Sequence, residues 1–251
     1  VTPHNPSAPP ALAFHAVGKR FGTAVALDGI DLDVAAGSFF GLTGVNGAGK
    51  TTLLKCMLDL TSADSGSISI FGAPSNDCFA RRRLSFLPER FSPPHHLNGR
   101  QFLRMMAGMR GETYDEGAAR GMLERVDLDI GALARTVKTY SKGMTQKLGL
   151  VACFLARRDL TVLDEPMSGL DPKARALVKD LLGDIRRAGG TLFFTSHALA
   201  DVEEICDQVA VLHAGRLRFV GAPAQLRGNT GEKTLERAFL RLISTPSTIA
   251  P

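Results

Sequence analysis

"GVNGAGKTT", residues Gly44 to Thr52, follows the apolar run "FFGLTG" (Phe39 to Gly44) and leads into an apolar helical pattern. It fits G-x-x-x-x-G-K-[ST], with Gly44, Gly49, Lys50 and Thr51 in the fixed positions. A strand before and a helix after form the context in which this pattern holds phosphate. The glycines let the backbone curl so that its N–H groups point inward at an anion. In such a loop Lys50 reaches the β and γ phosphates of a nucleotide, and the Thr51 hydroxyl ligates Mg²⁺.

Outward from this loop, short apolar runs alternate with longer helical patterns, which predicts an α/β fold with a largely parallel sheet. "LTVL" (Leu160 to Leu163) and "TLFFTS" (Thr191 to Ser196) read as two further buried strands. "VAVLHAGRLRFVG" has apolar runs on both sides of His213-Ala214-Gly215, as a hairpin does. Leu235, Phe239 and Leu242 recur at i, i+4 and i+7, so an amphipathic helix closes the chain. From about residue 76 to 156 the pattern is mainly helical with no strong strand, which suggests a helical subdomain inserted in the α/β core. The proline-rich start, residues 1–10, and the end, residues 245–251, read as loose tails around a single domain of residues 11–245.

Composition narrows the function. The 251 residues are 44% hydrophobic, ample for a packed core, and no run of 18 apolar residues could cross a membrane. The start lacks the basic-then-apolar build of a secretory signal. Cys56, Cys78, Cys153 and Cys206 show no C-x-x-C spacing and read as reduced packing residues of a cytosolic chain. The net charge is +5, but the basic residues are dispersed except at Arg81-Arg82-Arg83. With no Trp and two Tyr there is little for bases to stack on, so nucleic acid is not the expected partner.

Three further stretches carry chemistry. "LTVLDEP" ends a strand in two carboxylates: Asp164 is placed to hold Mg²⁺ and Glu165 to polarise an attacking water. His197 emerges where "TLFFTSH" ends, at the strand end where ligands of open α/β sheets gather. In "YSKGMTQKLGL" (Tyr140 to Leu150), Leu148, Val151, Ala152 and Leu155 fall at helical spacing behind Ser141. Ser141 is therefore an N-cap, and a helix start attracts phosphate. That phosphate needs an owner, because the phosphate loop lies far upstream.

The order of these motifs resembles the nucleotide-binding subunit of ATP-binding cassette (ABC) transporters, from Leu12 to Ile243. The phosphate loop, a switch loop in "LSFLPER", the signature "YSKGMTQ", "VLDEP", the "SGLDP" turn and the histidine all occur in the family's sequence. The resemblance implies a P-loop NTPase core with a mostly parallel sheet, a small N-terminal antiparallel β part and the inserted helical subdomain. It implies ATP and Mg²⁺ as ligands, with Phe21 of "VGKRFG" stacking on adenine. Gly44, Asn46, Gly47, Ala48, Gly49, Lys50, Thr51 and Thr52 would hold the phosphates. Thr51, Glu89 and Asp164 would hold the metal, while Glu165 and His197 would be catalytic.

The resemblance also gives the signature's phosphate an owner. Cassettes of this family pack head to tail, so Ser141, Gly143 and Asp171 would touch ATP held by a second ABC ATPase subunit, expected here to be an identical chain. Transmembrane permease subunits would be the other partners, with this chain peripheral on the cytoplasmic face of the membrane. Two motifs depart from the commonest pattern. Glu89 replaces the usual switch-loop glutamine, and Lys142 and Met144 stand where glycine and glutamine are commonest. Both variants resemble a bacterial efflux branch, favouring export. The competing class is a soluble ABC ATPase acting on nucleic acid or ribosomes, but the Lys50–Ser141 interval holds no long coiled coil and only one cassette is present. The permease is expected on Phe91, Leu97, Phe102, Leu103, Met105, Met106 and Met109, an apolar stripe beside the switch loop.

Overall fold

A computed structural model describes residues 9–244. The expected tails therefore lie outside the described residues, apart from Pro9 and Pro10. The chain divides into two compact units: one comprises the described residues up to Arg81 and from Thr191 onward, the other Arg82–Gly190.

The first unit begins with β1 (Leu12–Phe21) and β2 (Ala24–Val34), then β3 (Phe39–Thr43), α1 (Lys50–Met57), β4 (Ser65–Ile70), the short β5 (Ala73–Pro74) and α2 (Cys78–Arg81). β2, β1, β4 and β5 form an antiparallel sheet in that order, the small N-terminal β part. The second unit carries β6 (Leu84–Leu87), α3 (Gly99–Met109), α4 (Glu116–Arg125), two 3₁₀ turns, α5 (Lys142–Leu155), β7 (Leu160–Asp164) and α6 (Pro172–Arg187). The chain then returns to the first unit with β8 (Thr191–Thr195), α7 (Leu199–Ile205), β9 (Gln208–His213), β10 (Arg216–Gly221), α8 (Pro223–Thr230) and α9 (Leu235–Ser244).

In the first unit β3 pairs in parallel with both β8 and β9, and β10 returns antiparallel to β9. β3 and β8 are buried at every position, as strands covered on both faces must be. Their Phe40 and Phe193 rings stack with centroids 5.8 Å apart. The expected hairpin is present, turning at Ala214 and Gly215, both at positive φ. On α9, Leu235 and Phe239 are buried as the spacing predicts, and Leu242 is half-buried.

In the second unit β6 and β7 pair in parallel, Leu84 opposite Leu160 and Leu87 opposite Leu163. β6 corrects the expectation of no strong strand between residues 76 and 156. With four residues it is too short to show a period, and its strand state comes from pairing with β7. α5 also differs from its pattern: every residue from Gln146 to Phe154 is buried, so it is a core helix rather than one with a single apolar stripe. Of the cysteines, Cys56, Cys153 and Cys206 are buried, as packing residues are, while Cys78 is exposed. Burial pushes the Cys153 thiol up to about 12, which keeps it protonated and inert.

α5 packs on β6 through Gly149, where an added Cβ would sit 2.5 Å from Leu87 Cδ1 and 2.8 Å from Phe91 Cδ1. Overpacking costs about 1–3 kcal/mol, whereas alanine gains about 1 kcal/mol over glycine in a helix. Gly149→Ala should therefore lower the urea midpoint at an unchanged m-value; a raised midpoint would show that the gap is not filled as described.

Candidate functional site

The phosphate loop belongs to the first unit. It leaves the end of β3, curls through Gly47 (φ +79°) and Gly49 (φ +113°), and enters α1 at Lys50. Both angles lie in the left-handed region that glycine adopts without a Cβ penalty. The glycines also admit neighbouring backbone. A Cβ on Gly44 would meet Leu212 O at 2.3 Å, and one on Gly49 would meet Ala26 O at 2.5 Å. Around Gly47 nothing lies within 4 Å, so the loop there faces open space. From behind, Gly215 N–H donates to Ala48 C=O at 3.0 Å, and Ala48 N–H to Val45 C=O at 3.1 Å.

α1 starts without a side-chain cap, because Gly49 has none to offer. The first N–H groups of a helix lack intrahelical acceptors, so those of Lys50, Thr51 and Thr52 suit a phosphate. Lys50 Nζ donates to Gly44 C=O at 2.7 Å and Val45 C=O at 3.3 Å, holding its charge over the loop. Val45, Asn46, Gly47 and Thr51 are exposed and Ala48 is buried. This cradle fits a polyphosphate. His197, exposed just after β8, and Phe21, 53% exposed at the end of β1, also lie on this unit. Lys19 Nζ sits 5.5 Å from the Phe21 ring centroid.

The second unit holds the carboxylates and the signature. Asp164 ends β7 and is 6% exposed; Glu165 follows at 9%. Glu165 has φ +50°, an unfavourable angle for a residue with a Cβ. Such strain costs about 1–3 kcal/mol and persists only where surrounding structure enforces it. Here Ser168 N–H donates to Glu165 C=O at 3.1 Å, closing the turn, and Gln146 Nε2 on α5 donates to Pro166 C=O at 3.0 Å. On the first unit, the hydroxyl of the exposed Thr51 is a hard oxygen donor of the kind Mg²⁺ takes beside water and phosphate. Within the second unit, the Asp164 carboxylate is a donor of the same kind. Among the described residues no cluster of three or more His, Cys, Asp or Glu could hold a metal by itself.

Ser141 is the N-cap of α5, as its position predicts: its Oγ accepts from Met144 N–H at 3.2 Å. It is exposed, and the N–H groups of Lys142 and Gly143 precede the capped one, at positions without intrahelical acceptors. Asp171 caps α6, accepting from Ala174 N–H at 2.9 Å, with Pro172 at the first helical position. Glu89 is exposed after β6 and lines a cleft of 560 Å³ with Arg90, Phe91, Lys138 and Tyr140.

One outcome differs from the sequence expectation. Phe102 and Leu103, assigned to a surface stripe, are each 2% exposed and belong to the core of this unit. Phe91 leans on Phe102 edge-on at 5.7 Å, Met105 and Met106 are half-buried, and Met109 is exposed. α3 is thus turned inward at residues whose spacing alone left two faces open. Gln146 is a further residue that sequence pattern alone does not single out. Its signal was a polar side chain five residues past the cap, inside a run otherwise fit for a core.

The family model for ABC transporters matches residues 27–168. An ABC transporter ATP-binding protein of Nostoc sp. is 38% identical over 208 residues, covering 82% of this chain and 62% of the relative. A Nod factor export ATP-binding protein of Burkholderia lata is 36% identical, covering 85% of this chain and 71% of the relative. A solved structure described as the ATP-binding subunit of an ABC transporter superposes with a TM-score of 0.82 at 27% identity, over 92% of this chain and 99% of the other. The chain belongs to the ABC transporter family. It spans about three fifths of the length of the first curated relatives it matches.

Lys50→Ala should weaken binding of a fluorescent ATP analogue. Hydrogen bonds to charged groups contribute about 1.5–3 kcal/mol, or about ten- to hundredfold in Kd. Titration at parental affinity would remove Lys50 from the phosphate site.

Proposed function

We propose that this chain is the ATP-hydrolysing subunit of a membrane exporter, acting as one half of a pair of cassettes that sandwich two ATP molecules. The observation that carries this is Glu165, a carboxylate held in a left-handed turn directly behind the buried Asp164. Backbone strain at an acidic residue beside a strand end is spent where a side chain must be aimed.

The phosphate loop and Lys50 bind the triphosphate, and Phe21 stacks on adenine. Thr51, Glu89 and Asp164 would hold Mg²⁺, which when bound neutralises charge on the β and γ phosphates. Glu165 accepts a hydrogen bond from water and draws its proton away. The water oxygen attacks the γ phosphorus, the bond to the β–γ bridging oxygen breaks, and ADP leaves with those electrons. His197 donates to a γ-phosphate oxygen. Ser141, Gly143 and Asp171 complete the site of the second cassette. The signature's exposed helix start supports this, since among the described residues the Ser141 side chain caps only Met144 N–H.

No helix among the described residues is long and apolar enough to cross a membrane. The pore is assigned here to a permease subunit. We place its docking segment in the cleft beside Glu89, with the chain peripheral on the cytoplasmic face. Arg90 and Lys138 line that cleft, and neither forms an ion pair among the described residues, so a segment bearing carboxylates suits it. The export direction follows the Nod factor relative.

Two experiments test this. A positioned general base contributes about 10²- to 10⁴-fold, so Glu165→Gln should lose single-turnover hydrolysis by that order while retaining ATP. With ATP this variant should elute as a dimer and with ADP as a monomer, and adding Ser141→Arg should abolish the dimer without removing nucleotide. Parental hydrolysis, or an elution volume indifferent to ATP, would refute the base or the sandwich respectively. Separately, Lys138→Glu should reduce copurification with the membrane subunits that the parent chain retains; full recovery would move the docking site.

A further inference from the structure

The loop from Glu165 to Asp171 is tied to the start of α5 at three points within the second unit. Gln146 Nε2 donates to Pro166 C=O at 3.0 Å, with Gln146 only 5% exposed. Lys142 Nζ donates to Ser168 Oγ at 3.3 Å, and its stem lies against Gly169, where an added Cβ would meet Lys142 carbons at 3.1–3.2 Å. Gly143 approaches closely enough that its own Cβ would meet Gly169 O at 3.1 Å. Lys142 is one of the two departures from the commonest signature, and here it has a partner in the loop rather than pointing to solvent alone.

We infer that Gln146 is a positioning residue for Glu165, and that α5 thereby couples a phosphate bound at Ser141 to the base of the same chain. The coupling rests on the sandwich proposed above; the positioning does not. Ser141 and Gln146 are five residues apart, about 7.5 Å along a helix. Burial of α5 from Gln146 to Phe154 makes it move as a body, because core packing is not continuously deformable. A shift at its start therefore reaches the Pro166 carbonyl. That carbonyl belongs to the residue immediately after Glu165, whose φ of +50° has to be enforced from outside. An amide donor buried at 3.0 Å resists being pulled away, since it would be left without a partner. Gln146 touches no reacting atom; it acts through the backbone that aims Glu165.

The alternative is that Gln146 merely fills the core with its hydrogen bond satisfied. Two variants of the full chain separate these roles. Gln146→Met keeps the length and loses the donor. A misplacement of about 1 Å can cost about a hundredfold, so its kcat should fall about ten- to hundredfold with KM for ATP nearly unchanged. Amide hydrogen exchange at Met167 to Leu170 should quicken in the same variant without nucleotide. Gln146→Glu has a donor only when protonated, and burial beside a carbonyl raises its pKa. Its rate relative to the parent should therefore recover as the pH falls from about 8 to about 6. Parental kcat and parental exchange in Gln146→Met would overturn the inference. So would a fall in kcat matched by loss of ATP affinity and thermal midpoint, with no recovery of Gln146→Glu at low pH. A parent without ATPase activity would sink the proposed function instead, and exchange at Met167 to Leu170 would still decide whether Gln146 holds the loop.

Discussion

The capacity of this chain to hold a phosphate depends on backbone approaching backbone more closely than any side chain permits. Gly44 lies against the carbonyl of Leu212, and Gly49 against that of Ala26, at separations where a Cβ would collide. Those carbonyls belong to β9 and to β2, so the parallel and antiparallel sheets of the first unit both shape the loop. Gly215, turning the β9–β10 hairpin, donates to Ala48 from behind. With its back so supported, the loop can turn the N–H groups at the start of α1 outward without a side-chain cap.

The second unit solves a different problem. A left-handed Glu165 is intrinsically unfavourable, and its conformation is maintained by bonds from elsewhere: Ser168 from within the turn, Gln146 from α5. α5 can serve as an anchor because Gly149 lets it press onto Leu87 and Phe91, and because nine consecutive residues from Gln146 to Phe154 are buried. Its first turn, in contrast, is exposed at Ser141 and Lys142. One helix thus presents a polar start for an anion and a core-bound body that grips the loop of the proposed base. The departures from the commonest signature fit this arrangement. Lys142 finds Ser168, and Met144 leaves the cap of Ser141 intact because only its backbone N–H is used.

Much of this was legible in the residues. The G-x-x-x-x-G-K-T pattern, the fully apolar strands and the capping serine each depend on local chemistry, and each lies where its spacing predicts. β1 and β2 were harder to read because register shifts at Phe14/Val17 and at Val17/Lys19 break the alternation that marks a strand. β6 was missed because four residues carry no period. Phe102 and Leu103 were misassigned to the surface because helical spacing says which residues share a face and not which face turns inward.

The sequence by itself determined the local elements: where a helix must begin, which loop can curl around phosphate, which carboxylates end a strand. Each follows from interactions spanning a few residues. Only the tertiary structure decided that Gln146 bonds to Pro166 twenty residues later and that Glu165 is held at positive φ. Both are settled by packing between segments distant in the chain. No periodicity encodes such contacts, because they depend on which buried groups find partners when the helix and the loop are brought together.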